Sequence, residues 1–201
     1  MRREIMTRRF IVHITRVLIV VLTCSVCEWR YVSASEKQKL LFRFDSPEKV
    51  KQWQNVDDVV MGGVSKSQFT VTPNKTALFS GKVSLENYGG FASVFSRLTD
   101  NDLSSYQGIE IRVKSDSKRY KMYLKNDPTL DSKSYEVRLN TEKDAWKTIR
   151  VPFSSLNPMF RGQMVTDAPK FNPRDVKSIG IVISEKQEGP FQLEIEYITV
   201  Y

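Results

Sequence analysis

One run of the sequence, Ile109-Glu110-Ile111-Arg112-Val113-Lys114, alternates apolar and charged side chains without a break. Successive side chains of a β-strand point to opposite faces, so the apolar residues would share one face and the charged residues the other. The same alternation returns at Tyr135-Glu136-Val137-Arg138-Leu139. These two runs predict strands that bury one face in a core and expose the other to water.

Short apolar stretches continue on both sides of these runs, separated by Gly, Asn, Asp and Pro. Such spacing is typical of short antiparallel strands joined by turns. With about ten strands and little helix, the sequence predicts an all-β antiparallel sandwich or jelly roll rather than a parallel α/β sheet. The predicted strands are residues 40–44, 68–71, 77–85, 91–98, 108–113, 120–125, 135–139, 146–151, 178–183 and 191–200.

Two short segments carry helix-start signals. Ser46-Pro47-Glu48 offers an N-cap serine followed by proline at the first helical position, which predicts a short helix through Gln54. Asn172-Pro173-Arg174-Asp175 predicts a shorter one. The last strand alternates less cleanly than the others, so we expect it to lie half in the core and half at an edge or interface.

Charge argues against nucleic-acid binding. The chain of 201 residues has a formal net charge of +8, but six basic and two acidic residues precede Ser35. The remainder holds 25 basic and 21 acidic residues, a balance of +4. Mixed charges of this kind indicate a solvated surface rather than a basic groove.

The N-terminus has the pattern of a targeting segment. Basic residues from Arg2 to Arg16 precede an apolar run at residues 17–27, and the small residues of Val32-Ser33-Ala34 follow. This order is typical of a secretory signal peptide, and the run is shorter than the ~20 residues of a spanning helix. We predict a leader at residues 1–34 and a secreted or periplasmic single domain at residues 35–201. A membrane anchor and an Arg-rich mitochondrial presequence are the alternatives.

Residue types limit the chemistry of the domain. His13, Cys24 and Cys27 are the only histidine and cysteines, and all three lie in the predicted leader. Ser-His-Asp and Cys-His triads and thiol or imidazole zinc sites are therefore excluded.

Asp57 and Asp58 are adjacent, and because neighbours on an extended chain point opposite ways, they cannot flank one glycosidic bond. A turn is the simpler interpretation and a calcium site the alternative. We predict no enzyme activity, cofactor or metal.

Two glycine pairs stand out, in Met61-Gly62-Gly63-Val64-Ser65 and in Tyr88-Gly89-Gly90-Phe91. Strand-like residues follow each pair, so we expect positive φ angles or close backbone approach rather than a phosphate-binding loop.

Trp53 and other aromatic residues could form a platform for sugars, although core packing is the alternative. Arg161 could bind an anionic partner or form a surface ion pair.

These residues together resemble a known family. Trp53, followed by Val56-Asp57-Asp58-Val59-Val60-Met61-Gly62-Gly63-Val64-Ser65, resembles the opening motif of the complex I intermediate-associated protein family. The match covers roughly residues 41–201, and its motifs are specific as a set. Further matches are Phe79-Ser80-Gly81, Val83-Ser84-Leu85, Gly89-Gly90-Phe91-Ala92-Ser93, Tyr106, Gly108-Ile109, Arg112-Val113, Trp146, Val151-Pro152-Phe153, Arg161-Gly162, Ile179-Gly180, Gly189-Pro190-Phe191 and Leu193-Glu194-Ile195.

The resemblance implies a galactose-binding-like jelly roll, in agreement with the strand pattern. It also implies a chaperone-like binding role, without catalysis, in the assembly of respiratory complex I or another membrane complex. The expected partners are proteins such as membrane-complex subunits, with no nucleic acid. A secreted or periplasmic carbohydrate-binding module with a glycan ligand is the alternative. The candidate residues for binding a partner or ligand are Trp53, Asp57, Asp58, Gly62, Gly63, Ser65, Gly89, Gly90, Phe91, Ser93 and Arg161.

Overall fold

The computed structural model describes residues 37–201, and the leader predicted at residues 1–34 lies outside them. The described chain contains one α-helix, α1 (Pro47–Lys51), and three 3-10 turns (Asp58–Met61, Glu86–Tyr88 and Phe153–Ser155). Its strands are β1 (Lys39–Arg43), β2 (Trp53–Asp57), β3 (Lys66–Val71), β4 (Ala77–Val83), β5 (Ala92–Arg97), β6 (Gly108–Ser115), β7 (Tyr120–Lys125), β8 (Ser134–Arg138), β9 (Trp146–Pro152), β10 (Asn157–Phe160), β11 (Gln163–Met164), β12 (Ser178–Ile183) and β13 (Gly189–Val200).

The strands form two sheets. The first has the order β3-β4-β13-β6-β9, and β1 also pairs with β13. The second has the order β11-β10-β8-β7-β12-β5-β2. Neighbouring strands are antiparallel throughout both sheets. The predicted all-β antiparallel sandwich is therefore confirmed.

The core is built from alternate residues of the strands. Strand β6 buries Ile109, Ile111 and Val113, as its alternation predicted. Glu110 on the same strand is also covered, and its carboxylate pairs with Arg150 at 2.9 Å. Each fully buried Ile contributes roughly 1.5–3 kcal/mol through removal of its side chain from water. Burial of one face of each sheet thus supplies the main driving force of the fold.

Four aromatic rings close the sandwich where β1, β2 and β3 meet. Phe42 and Trp53 are 4.9 Å apart between ring centroids, and Trp53 and Phe69 are 5.1 Å apart. Phe44 lies 5.6 Å from Phe69 in an edge-to-face contact. All four are buried. Aromatic pairs in such geometry stabilise a fold beyond the gain from their burial alone. The cluster therefore holds β1, β2 and β3 together next to the candidate site.

Strand β13 lies at the centre of the first sheet. Its first half pairs with β4, its last residues pair with β1, and β6 lies along the other edge. A register shift between Ile195 and Tyr197 places Ile198 on the inner face, so the apolar alternation breaks there. The prediction of an edge for half of this strand is wrong, because strands pair with it on both sides, and the alternative of an interface stays a prediction. Its irregular pattern reflects a β-bulge, in which one extra residue moves the following side chains to the opposite face.

All ten predicted strands are present, with ends within two residues of the prediction, whereas β2, β10 and β11 were not predicted. Helix α1 ends at Lys51 rather than Gln54, because the chain is extended from Trp53 onward and pairs with β5. Residues 172–175 form a turn instead of the predicted helix. Within residues 37–201, no helix combines the length and apolar character needed to cross a membrane.

Candidate functional site

The candidate site begins in the segment that crosses from β2, in the second sheet, to β3, in the first. Residues Asp58–Met61 form a 3-10 turn immediately after β2. Gly62 then adopts a φ of +92°, and the N–H of Gly63 donates to the carbonyl oxygen of Asp58 at 3.0 Å. A left-handed φ is easily adopted only by glycine. The first glycine of this pair is therefore required by the sharp reversal of the chain.

The buried carboxylate of Asp58 joins this loop to the second glycine loop. Its Oδ1 accepts the backbone N–H of Ser65 at 2.8 Å. Its Oδ2 accepts the Ser65 hydroxyl at 2.6 Å and the backbone N–H groups of Gly90 at 2.6 Å and Phe91 at 3.3 Å. Hydrogen bonds to an ionised acceptor are stronger than neutral ones. One side chain thus holds two segments that are distant in the sequence.

The charge of Asp58 is stabilised by these donors. Burial disfavours the ionised form, but the hydrogen bonds from Ser65, Gly90 and Phe91 outweigh that effect and hold the pKa of the carboxyl below its ordinary value of 3.8. The carboxylate is therefore ionised at neutral pH. Its contribution to stability is present above pH 3.8 and is lost as the pH falls through the lowered pKa.

Two glycines leave room for this carboxylate. A Cβ atom on Gly63 would lie 2.5 Å from the Cγ of Asp58, and one on Gly89 would lie 2.5 Å from its Oδ2. Neither distance is compatible with a side chain. The expectation of close backbone approach at the glycine pairs is thus met at Gly63 and Gly89, each of which packs against the same acid.

The other polar residues of the motifs also form internal hydrogen bonds. The Ser65 hydroxyl accepts the backbone N–H of Ser84 at 2.9 Å, which extends the network to the end of β4. Asp57 points away from Asp58 and accepts the backbone N–H and the hydroxyl of Ser67 at 2.7 and 2.6 Å. Ser93 donates to a carbonyl oxygen of β2 at 2.6 Å. The hydrogen bonds of these residues thus stabilise the loops and the strands next to them.

Most of the side chains that face solvent on the two loops are apolar, and the exposed polar ones are Glu86 and Asn87 of the second loop. Tyr88 is fully exposed, and Val60 and Met61 are 68% and 67% exposed. Large apolar side chains that cluster in the open are unusual in a monomeric domain and mark interaction sites. We call this set the apolar loop surface. It consists of Val59, Val60, Met61, Val64, Leu85 and Tyr88.

Two of the candidate binding residues lie apart from this surface. Trp53 is 5% exposed within the aromatic cluster, and its indole N–H has no hydrogen-bond partner. Arg161 lies in the turn between β10 and β11, at the edge of the second sheet opposite β2, and pairs with Asp131 at 2.6 Å. The remaining candidates converge at the two glycine loops. The exposed valines and Met61 were not among them, because apolar residues in a sequence are normally assigned to the core.

Within residues 37–201, no group of three or more His, Cys, Asp or Glu residues is positioned to hold a metal ion. Asp57 and Asp58 bind separate serines through their carboxylates. The geometry of the two loops therefore combines an internal hydrogen-bond network with a largely apolar exterior. Such an arrangement is suited to contact with another molecule.

Comparisons with known proteins extend this description. The family model described as Complex I intermediate-associated protein 30 matches residues 42–195. A Caenorhabditis elegans protein named probable complex I intermediate-associated protein 30, mitochondrial, is 29% identical, and the alignment covers 80% of this chain and 53% of the relative. For the Mus musculus complex I intermediate-associated protein 30, mitochondrial, these values are 23%, 83% and 57%. The chain spans about half the length of these relatives.

The fold is similar to that of a family 11 carbohydrate-binding module from Clostridium thermocellum. The TM-score is 0.64, and the alignment covers 83% of this chain and 96% of the module. The sequence identity is 16%, so this likeness concerns the fold alone. It confirms the jelly-roll class of the sandwich.

Proposed function

This chain belongs to the complex I intermediate-associated protein 30 family, and from that membership we propose that it is a non-catalytic binding protein that assists the assembly of respiratory complex I. The names of the two relatives support this role. Since the chain spans 53% of the length of the C. elegans relative, we propose the role for the domain in hand. A chaperone-like action, in which the domain covers apolar surface of an unassembled subunit, would need no catalytic residue.

The apolar loop surface is the docking site in this proposal. Its Val59-Val60-Met61 segment holds three consecutive apolar residues that are each more than half exposed. Tyr88 and its neighbour Asn87 adopt φ angles of +61° and +54°, which are uncommon outside glycine. Backbone strain of this kind concentrates at functional sites. The buried Asp58 keeps both loops in place before a partner arrives, which lowers the entropy cost of association.

The partner in this proposal is a protein with a complementary apolar surface, such as a complex I subunit before its incorporation. Aromatic residues and Met are enriched at protein interfaces, where they supply contact area in well-packed centres. Met61 and Tyr88 are of these types. The segment Val59–Ser65 holds no charged residue, so desolvation of this part of the apolar loop surface is favourable, whereas Glu86 of the second loop is exposed beside Leu85.

A mitochondrial location accompanies this role. Both relatives are named as mitochondrial, and an Arg-rich presequence was the organellar alternative for residues 1–34 of this chain. We therefore propose mitochondrial import in place of secretion. Fractionation followed by N-terminal sequencing of the recovered protein tests it. Recovery of the mature protein from the secreted fraction would overturn the location and the assembly role together.

The docking site is tested by affinity capture of the tagged full chain from cells that contain complex I. We expect complex I subunits to be enriched by the wild type. The double variant Val60→Glu/Met61→Glu should reduce that enrichment at least about tenfold, because two charges would be buried without partners. The matched control is Leu130→Glu/Met164→Glu, at residues that are 60% and 63% exposed elsewhere. Equal enrichment by both double variants would refute the docking site.

The carbohydrate-binding alternative makes a different prediction. A sugar platform needs exposed aromatic rings, and Trp53 lies in the core. Tyr88 and Arg161 remain available, but Arg161 is at the far edge of the second sheet. A glycan array with residues 35–201 distinguishes the two roles. Specific binding that is lost in Tyr88→Ala, together with no capture of respiratory subunits, would replace the assembly role by the carbohydrate role.

A further inference from the structure

A cleft of about 360 Å³ opens where the loop after β6 meets the end of β8. Its wall combines three cations, three neutral hydrogen-bonding residues and the apolar Leu139, and none of its residues is acidic. The three cations are Lys118, Arg119 and Arg138, and the neutral groups belong to Ser117, Asn140 and Thr141.

The cations beside this cleft already hold one oxyanion of the protein itself. The carboxylate of Glu185 accepts Arg119 Nε at 3.0 Å and Arg138 Nη2 at 2.8 and 2.9 Å. Lys121 Nζ lies 3.2 Å from the same group. These neighbours lower the pKa of Glu185 to about 2, despite its partial burial. Arg119, Arg138 and Lys121 thus surround the Glu185 carboxylate. Lys121 also contacts Glu136, so these three cations face two carboxylates, which leaves one excess positive charge.

Other carboxylates lie near these loops, and one of them, Glu136, shares Lys121 with Glu185. Glu136 lies 3.6 Å from Lys121, on the outer face of the second sheet. Asp116 accepts the Tyr120 hydroxyl at 3.0 Å and the backbone N–H of Gln192 at 2.8 Å. Arg119 and Arg138 both line the cleft, and their side chains are 49% and 56% exposed. An incoming anion would therefore meet positive charge that Glu185 only partly neutralises.

The loops that present these cations are held in place. Gln187 is buried, and its side-chain amide accepts the N–H of Arg119 and donates to the carbonyl oxygen of the same residue, both at 2.8 Å. Glu185 and Lys186 adopt φ angles of +65° and +54°, and Ser117 one of +82°. Non-glycine residues in this region are maintained only when their surroundings impose the conformation. The cation set is consequently preorganised before any ligand binds.

We propose that this cleft binds the phosphate group of a small polar molecule, either a free phosphate ester or a lipid headgroup. Guanidinium groups offer planar paired donors that fit phosphate oxygens, and Lys118 adds a third positive charge. Ser117, Asn140 and Thr141 provide neutral donors and acceptors for hydroxyl groups on the rest of the ligand. None of the residues that line the cleft belongs to the apolar loop surface, so this proposal does not depend on the proposed assembly role.

Titration calorimetry with glycerol 3-phosphate and inorganic phosphate tests the free-ester source. Sedimentation with phosphatidylcholine vesicles, with or without phosphatidic acid, tests the headgroup source. We expect a saturable affinity tighter than about 1 mM for one source. Arg119→Gln/Arg138→Gln should weaken it at least about tenfold, because two charge-assisted contacts are lost. The control double variant Arg43→Gln/Arg174→Gln removes the same charge at exposed positions elsewhere and should leave the affinity unchanged.

Glu185→Gln gives a prediction of opposite sign. This variant removes the internal carboxylate that competes for Arg119 and Arg138, so phosphate affinity should rise several-fold if the cations are a binding site. Thermal unfolding of each variant verifies that it is folded. Absence of saturable binding up to about 10 mM in both assays, or an equal loss in the two arginine double variants, would overturn the proposal.

Discussion

Replacing Asp58 by Asn would remove the charge at the junction of the two glycine loops while keeping nearly the same shape. The amide oxygen can take the position of Oδ2 and keep the donors Ser65 Oγ, Gly90 N and Phe91 N. The amide NH2 then faces the backbone N–H of Ser65, which loses its acceptor at 2.8 Å. Two donors would therefore oppose each other in a buried site.

The size of the effect follows from these contacts. A buried donor left without an acceptor costs about 1–3 kcal/mol, and the three retained hydrogen bonds fall from charge-assisted to neutral strength. Relief of the desolvation of a buried charge offsets part of that loss. We expect Asp58→Asn to lower the free energy of unfolding by about 3 kcal/mol. For a domain of this size, the melting temperature should fall by about 6–12 °C.

Thermal and urea unfolding, followed by circular dichroism, would measure this difference. Asp57→Asn is the matched control, because an amide can accept the N–H of Ser67 and donate to its hydroxyl, so both hydrogen bonds survive. A loss below about 1 kcal/mol in Asp58→Asn, or equal losses in the two variants, would refute the role assigned to the carboxylate. The gap between wild type and Asp58→Asn should be complete above pH 3.8 and shrink in acid, since the folded pKa is lowered.

Three further outcomes follow from the same structure. Gly63→Ala should lower the melting temperature by more than Gly162→Ala, because the new methyl group at Gly63 would lie 2.5 Å from Asp58. At Gly162 the added methyl group would meet open space, and only the left-handed φ of +77° opposes it. An equal fall in the two variants would contradict this. Gly180→Ala should also be strongly destabilising, since its Cβ would lie 2.2 Å from a buried tyrosine ring, and a melting temperature equal to that of Gly162→Ala would contradict this. The stabilising contribution of Glu185 should be lost as the pH falls from 4.5 towards 2, because its folded pKa is lowered; acid titration of the wild type against Glu185→Gln measures it.

Strands could be predicted from the sequence where one face of the strand is buried and the other is exposed to solvent. Strand β2 was missed because Ser46-Pro47 correctly signals a helix start but does not fix where the helix ends. Its sequence Trp53–Asp57 shows no apolar alternation, since it is an edge strand that pairs only with β5. Strands β10 and β11 were missed for a related reason: Pro158 and Gly162 are turn-like residues, and the pairing to β8 depends on distant backbone.

The candidate site was predictable in part. The glycine pairs and the adjacent acids were recognised, and most of them do converge. The role of Asp58 was not visible, because its donors at Gly90 and Phe91 lie far along the chain and are brought close only by the pairing of β2 with β5. The exposure of Met61 was not predictable either, because the residue type alone does not distinguish a methionine in the core from one on a binding surface.

The place of β13 determines when the domain can form. This strand lies between β4 and β6 and also pairs with β1, so the first sheet has no continuous hydrogen-bonded path without it. It is also the last of the described strands to leave the ribosome, which releases the chain gradually. Until residue 200 emerges, β4 and β6 present unpaired edges, which are prone to aggregation. Completion of the first sheet is consequently a late event, and the time before it is when the polypeptide itself needs protection.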